Sequence, residues 1–144
     1  MLLENNKFTG TIPQELYSLT NLKNLFLQTN DFSGTISEDI SNLTRAEKLI
    51  FRENNFKGTI PTTLGKLENL DNLWFHFNKF EGEVPKEICD LFEKRKEYCD
   101  FIEKEEIGAC ALYADCDDTM GNAAIECDCC TDCCDNVQHV CYEQ

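Results

Sequence analysis

What this chain lacks narrows its possible roles before anything else. Basic side chains are few, 13 Lys and Arg against 27 Asp and Glu, for a net charge of −14. Nucleic acid and anionic membrane surfaces both need a basic footprint, so neither is an expected partner. The imbalance is local: residues 1–88 carry 12 acidic and 9 basic side chains, residues 89–144 carry 15 and 4. No apolar run approaches the length that crosses a bilayer. The two histidines, His76 and His139, stand in no catalytic frame, and nucleophile elbow, phosphate loop and zinc-protease motif are all missing. An enzyme is therefore not expected, and no cofactor or metal is called for. No cysteine precedes Cys89, which confines the chemistry of all ten to residues 89–144.

What is present is repetition. Leu22, Ala46 and Leu70 head three stretches that copy one another at a period of 24, and the first residues fit the same frame from Met1 onward. The columns are Leu25, Leu49, Leu73; Leu27, Phe51, Phe75; Asn6, Asn30, Asn54, Asn78; Phe32, Phe56, Phe80; Gly34, Gly58, Gly82; and Ile36, Ile60, Val84. A fixed period of this size predicts a solenoid, with one truncated and three whole coils over residues 1–91. Apolar residues two apart, such as Leu25 and Leu27, point to one side of a short strand, and stacked copies build a parallel sheet. Ser37 departs from Pro13, Pro61 and Pro85, and Ala46 underfills a Leu site.

These residues resemble the plant-type leucine-rich repeat, LxxLxLxxNxFxGxIPxxLxxL, over roughly the first two thirds of the chain. The resemblance implies an α/β solenoid with a parallel concave sheet, and an asparagine ladder in which Asn6, Asn30, Asn54 and Asn78 satisfy backbone groups of adjacent coils. Receptor-like and secreted members of the family imply extracellular recognition of a protein or peptide. Met1 falls in the column of Leu25, mid-coil, and no signal peptide precedes it. A solenoid needs a cap at each end, so the chain is read as the C-terminal part of a longer secreted or cell-surface protein, a short cytosolic array being the alternative.

After Leu91 the period fails, and LFEKRKEYCDFIEKEEIGAC reads as a charged amphipathic helix inserted over residues 92–109. Residues 110–144 then read as a cap. The even number of cysteines, Cys89, Cys99, Cys110, Cys116, Cys127, Cys129, Cys130, Cys133, Cys134 and Cys141, suits a disulfide-stapled end in an oxidising compartment. The stretches ALYADC and IECDCCTDCC resemble the LxADC segment and double-cysteine tail of a microalgal branch of the family. Thiolate metal binding is disfavoured, because the tail from Cys110 has no Lys or Arg while Asp115, Asp117, Asp118, Asp128, Asp132 and Asp135 would raise thiol pKa values. The same surroundings disfavour a redox pair at Cys130 and Cys133. Asp115, Asp117 and Glu126 match an EF-hand loop in spacing, but Met120 occupies the position where that loop needs Gly.

The candidate site is the concave face. Between the core leucines lie the columns Leu2, Phe26, Ile50, Trp74; Glu4, Gln28, Arg52, His76; and Asn5, Thr29, Glu53, Phe77. An exposed apolar run bordered by polar residues is a recognition signature. Phe26, Ile50 and Trp74 are its expected spine, Gln28, Arg52, His76 and Phe77 its border. Two registers are open for the cap strand, and both point Tyr113 outward; the LxADC resemblance favours the one beside Trp74 over the one beside His76. Asn42-Leu43-Thr44 is the one N-glycosylation sequon, with Leu43 in a buried column and Asn42 aligned with Ser18, Lys66 and Asp90. Two other classes remain: an adhesive or cell-wall protein with no discrete ligand, and a cytosolic metal-thiolate protein.

Overall fold

The computed structural model describes residues 1–102, 111–115, 132–135 and 140–143. Each coil supplies short strands on two sides of the stack. They are β1 (Thr9–Gly10), β2 (Asn24–Phe26), β3 (Asp31–Gly34), β4 (Lys48–Ile50), β5 (Asn55–Gly58), β6 (Asn72–Trp74) and β7 (Lys79–Phe80). A helix, α1 (Lys86–Ile102), follows, then β8 (Ala111–Asp115), β9 (Asp132–Asp135) and β10 (Val140–Glu143). Strands β2, β4 and β6 pair in parallel with Leu25, Leu49 and Leu73 side by side, as the 24-residue period requires. The remaining early strands form a second parallel set in the order β1-β3-β5-β7. The sequence reading anticipated one sheet only; the signal for the second was the column of Phe residues two before each turn glycine.

The core lies between the two sheets. Leu25, Leu49 and Leu73 are fully buried, as are Phe51, Phe56 and Phe75 or nearly so, and removing each large apolar side chain from water contributes about 1.5–3 kcal/mol. Phe8, Phe32, Phe56 and Phe80 stack with centroids 6.0, 6.1 and 6.2 Å apart, within the range that favours aromatic pairs. Gly10, Gly34, Gly58 and Gly82 end this stretch at φ between 76° and 88°, a region open to glycine because it has no Cβ. On the outer side the coils return through 3-10 helices at Gln14–Ser18, Glu38–Asn42 and Thr62–Lys66. Pro13 and Pro61 precede two of them in extended conformation; Ser37, the departure from the pattern, caps the third by accepting from the Asp39 N–H at 3.1 Å.

The asparagine column is a ladder. The Asn54 Oδ1 accepts from the Phe32 N–H one coil earlier at 3.0 Å, and its Nδ2 donates to the carbonyls of Leu27 and Phe51 at 2.9 and 3.1 Å. Asn30 and Asn78 repeat the arrangement on Phe8 and Phe56. Asn6 bonds the carbonyls of Leu3 and Glu4 within its own coil. Buried backbone groups that a tight coil leaves without partners are thereby satisfied.

Beyond the repeats three features can be set against expectation, two of them corrections and one a choice between the two registers. The helix starts at Lys86 rather than residue 92, inside the last coil, where it replaces the 3-10 helix of earlier coils. Ile88 and Leu91 still occupy the columns of Leu64 and Leu67 and are buried, so the repeat pattern and the helix share one turn. A Cβ on Gly65 would lie 2.6 Å from the Glu87 carbonyl carbon and oxygen; glycine at this point lets the wider α-helix settle against its neighbour. Arg95 ties the helix down through the Asp71 carboxylate and the Glu68 carbonyl oxygen. Second, β8 joins the leucine sheet with Leu112 beside Leu73 and Tyr113 beside Trp74, which selects between the two open registers. Third, the sheet continues through β9, parallel to β8, to β10, which runs antiparallel to β9, so it is not parallel throughout. Neither last strand was anticipated.

Candidate functional site

The pleat of β2, β4 and β6 sends alternate side chains away from the core, and this outward face is the surface the sequence singled out. Phe26, Ile50 and Trp74 stand side by side across three coils. Their exposure does not follow the expectation of an open spine. Phe26 and Trp74 are half-buried, whereas Ile50, flanked by both, is only 5% exposed. His76, expected on the rim, is 3% exposed. Large neighbours cover Ile50, and the column is partly a layer of packing in its own right.

Around it a polar cluster is assembled. The Arg52 guanidinium lies 5.8 Å from the Trp74 ring centre, a cation–π geometry, and 3.1 Å from the Glu53 carboxylate. Thr29 Oγ1 donates to Glu53 Oε2 at 2.9 Å. The rings of Trp74 and His76 are 6.3 Å apart, and those of His76 and Phe77 4.7 Å apart edge to face. Gln28 Oε1 and Arg52 Nε are enclosed and bond to nothing among the described residues. Asn5, Thr29, Glu53 and Phe77 adopt φ of 56°, 58°, 54° and 57°, a conformation that costs L residues roughly 1–2 kcal/mol each unless they are Asn or Asp. The same turn recurs in every coil because the following Asn must reach its ladder partners. This is a chain-reversal geometry that Thr, Glu and Phe do not signal in a sequence; only Asn5 hints at it.

One column was missed. Asn24, Lys48 and Asn72 lie on the outward face two residues before Phe26, Ile50 and Trp74, and the same period of two would have found them. Lys48 is half-buried and Asn72 buried. Toward His76 and Asn72 the described face becomes enclosed. Tyr113 enters by backbone register, its strand adjoining β6.

Of the cysteines, Cys89 is disulfide-bonded, and no described cysteine is free. Cys99 falls in α1, Cys133 and Cys134 in β9, and Cys141 in β10 opposite Cys134. Cys110, Cys116, Cys127, Cys129 and Cys130 lie outside the described residues, as do the EF-hand-like spacing past Asp115 and most of the double-cysteine tail.

Comparison with known proteins bears on the class. A leucine-rich-repeat family profile matches residues 21–43. Among solved structures, a TDR receptor is 42% identical over 59% of this chain with a TM-score of 0.58. The Arabidopsis receptor kinase HAESA ectodomain, in complex with an extended IDA peptide hormone ligand, is 33% identical over 62% with a TM-score of 0.61. A plant ice-binding protein is 30% identical over 61% with a TM-score of 0.59. The chain spans 15%, 15% and 29% of those three chains respectively. No curated protein gives a significant match. Stacked coils, paired parallel strands and the asparagine ladder define a leucine-rich-repeat solenoid. The repeats are similar to those of the plant-type leucine-rich-repeat family, and the solved neighbours include the ectodomains of plant receptor kinases.

Proposed function

We propose that this chain is an extracellular module that recognises a peptide or protein on its concave sheet, without catalysing a reaction. The observation that carries the reading is the face itself. Half-buried aromatics, Phe26 and Trp74, adjoin an arginine stacked on one of them, with Lys48, Gln28 and Glu53 within the same three coils. Aromatic residues and arginine set in a partly desolvated surface are what interface hot spots favour. Solved neighbours that hold peptide ligands lend support: HAESA was solved with its hormone, and RGFR1, 33% identical over 63% of this chain, with RGF2. The division into repeats, helix and cysteine-rich cap belongs to this reading. Among the described residues no helix is long and apolar enough to cross a membrane.

The test is selection of a displayed library of random 16-residue peptides on the purified chain, followed by binding to variants. Phe26→Ala and Arg52→Ala are expected to weaken the enriched peptides by about 2 kcal/mol each, roughly thirtyfold. Trp74→Ala is a poorer probe, because its half-buried ring supports the packing of Ile50 and its loss lowers stability as well. Enrichment that survives both variants, or no enrichment at all, would overturn the reading and favour an adhesive protein without a discrete ligand.

A further inference from the structure

The sequon Asn42-Leu43-Thr44 is not part of the concave face, and the fold gives it a specific setting. Asn42 ends the 3-10 helix Glu38–Asn42 on the outer return of its coil. The next residue, Leu43, is fully buried in the core column that also contains Leu67. A short turn whose one residue is driven wholly inward leaves its predecessor outward, and Asn42 is exposed. Its carboxamide makes no hydrogen bond among the described residues, so nothing in the coil depends on it.

Thr44 is exposed too. Its carbonyl accepts from Asn69 Nδ2 at 3.0 Å, and Ala46 N–H donates to the Leu43 carbonyl at 2.8 Å, so the backbone beyond the sequon is held by bonds that leave both sequon side chains free. The flanking coils place Ser18 and Lys66, both exposed, beside Asn42. A bulky hydrophilic group here meets solvated neighbours and no apolar surface that the coil needs.

We infer that Asn42 is an N-glycosylation site, whose oligosaccharide projects from the outer return of the second coil, away from the concave sheet. In the transfer Asn42 Nδ2 bonds to the anomeric carbon of a lipid-linked oligosaccharide. The bond from that carbon to the diphosphate breaks, and the diphospholipid leaves with the electron pair as the amide gives up one proton. The inference rests on the extracellular reading, since this donor is met in the secretory lumen. It adds that the outer flank near Asn42 is sugar-covered, which disfavours a protein partner at that part of the outer return.

The test separates the two readings by supplying a cleavable secretory leader to the full chain, translated with microsomes, and examining only the protease-protected fraction. Expected is a single glycoform step in gel mobility and mass, removed by peptide N-glycosidase with aspartate left at position 42. Asn42→Gln and Thr44→Ala should abolish the step, and Thr44→Ser should keep it. Unmodified protein in the protected fraction would overturn the site while leaving the extracellular reading untouched, because entry is imposed by the leader. A step that persists in Asn42→Gln would overturn it as well. Glycosylated chain and Asn42→Gln should melt within about 2 °C of each other, as expected for a residue without structural partners.

Discussion

Asn54→Ala removes four hydrogen bonds, yet the ladder's redundancy reduces the damage to one orphan. The carbonyl of Leu27 keeps the Nδ2 of Asn30, that of Phe51 keeps the Nδ2 of Asn78, and that of Arg52 keeps the Thr29 N–H. The Phe32 N–H, buried and bonded to Asn54 Oδ1 at 3.0 Å, keeps nothing. An unsatisfied buried donor costs about 1–3 kcal/mol, which for a chain of this size corresponds to roughly 4–12 °C in melting temperature. Asn54→Asp refines the test. A carboxylate restores the acceptor for Phe32 but aims its second oxygen at the carbonyls of Leu27, Phe51 and Arg52, burying a charge among like dipoles. That environment raises the folded-state pKa of the introduced acid above its unfolded value of about 3.9. The sign follows: stability is retained below the unfolded pKa, where the acid is protonated and can donate, and is lost as pH rises through the folded pKa. At pH 7 the order should be wild type, then Asn54→Ala, then Asn54→Asp, with the last two converging as the pH is lowered toward 4. Asn6→Ala, at an exposed side chain whose bonds among the described residues are to two carbonyls of its own coil, should cost under about 0.5 kcal/mol. Thermal unfolding by circular dichroism reads all four proteins. An Asn54→Ala chain that melts with the wild type, or an Asn54→Asp chain with no extra pH dependence, would refute the ladder argument.

Leu49→Asp buries an unpaired carboxylate between Leu25 and Leu73, and loss of the cooperative melting transition is expected; a wild-type melt would contradict the register. Gly65→Ala drives a methyl into the Glu87 backbone, so a loss of about 1–3 kcal/mol is expected, with faster hydrogen exchange in residues 86–95 before the repeats. Unchanged exchange there would show that the helix packs with more room than the distance allows. Burial raises the pKa of the Tyr17 phenol, outweighing the Ser37 N–H that donates to it, and Asp39 raises it further. Protonated Tyr17 is thus favoured on folding, its contribution is complete below pH 10 and lost as pH rises through the folded value. Tyr17→Phe should show a shallower decline in melting temperature above pH 10 than the wild type; identical slopes would place the alkaline loss elsewhere.

The sequence by itself determined the coil. Its 24-residue period assigns every core residue of 1–91 to a column, and because each coil meets only its neighbours, a repeated sequence meets a repeated environment. The burial of Leu25, Leu49 and Leu73 and the ladder from Asn30 to Asn78 were legible for that reason. Serine at position 37 was visible as a departure, and its role as a helix cap follows from one hydrogen bond. Where the repetition stops, non-local packing decides. The start of α1 at Lys86 depends on the absence of a Cβ at Gly65, a whole coil away. The place of Tyr113 beside Trp74 depends on which of two registers the returning strand takes, both of which keep Leu112 inward. The left-handed turns at Thr29, Glu53 and Phe77 are set by the reach of the ladder asparagines against residue types that disfavour them. The enclosure of Ile50 and His76 could not be read from alternation, which says only which side of the sheet a residue faces; how much water reaches it is settled by the size of what stands next to it in three dimensions.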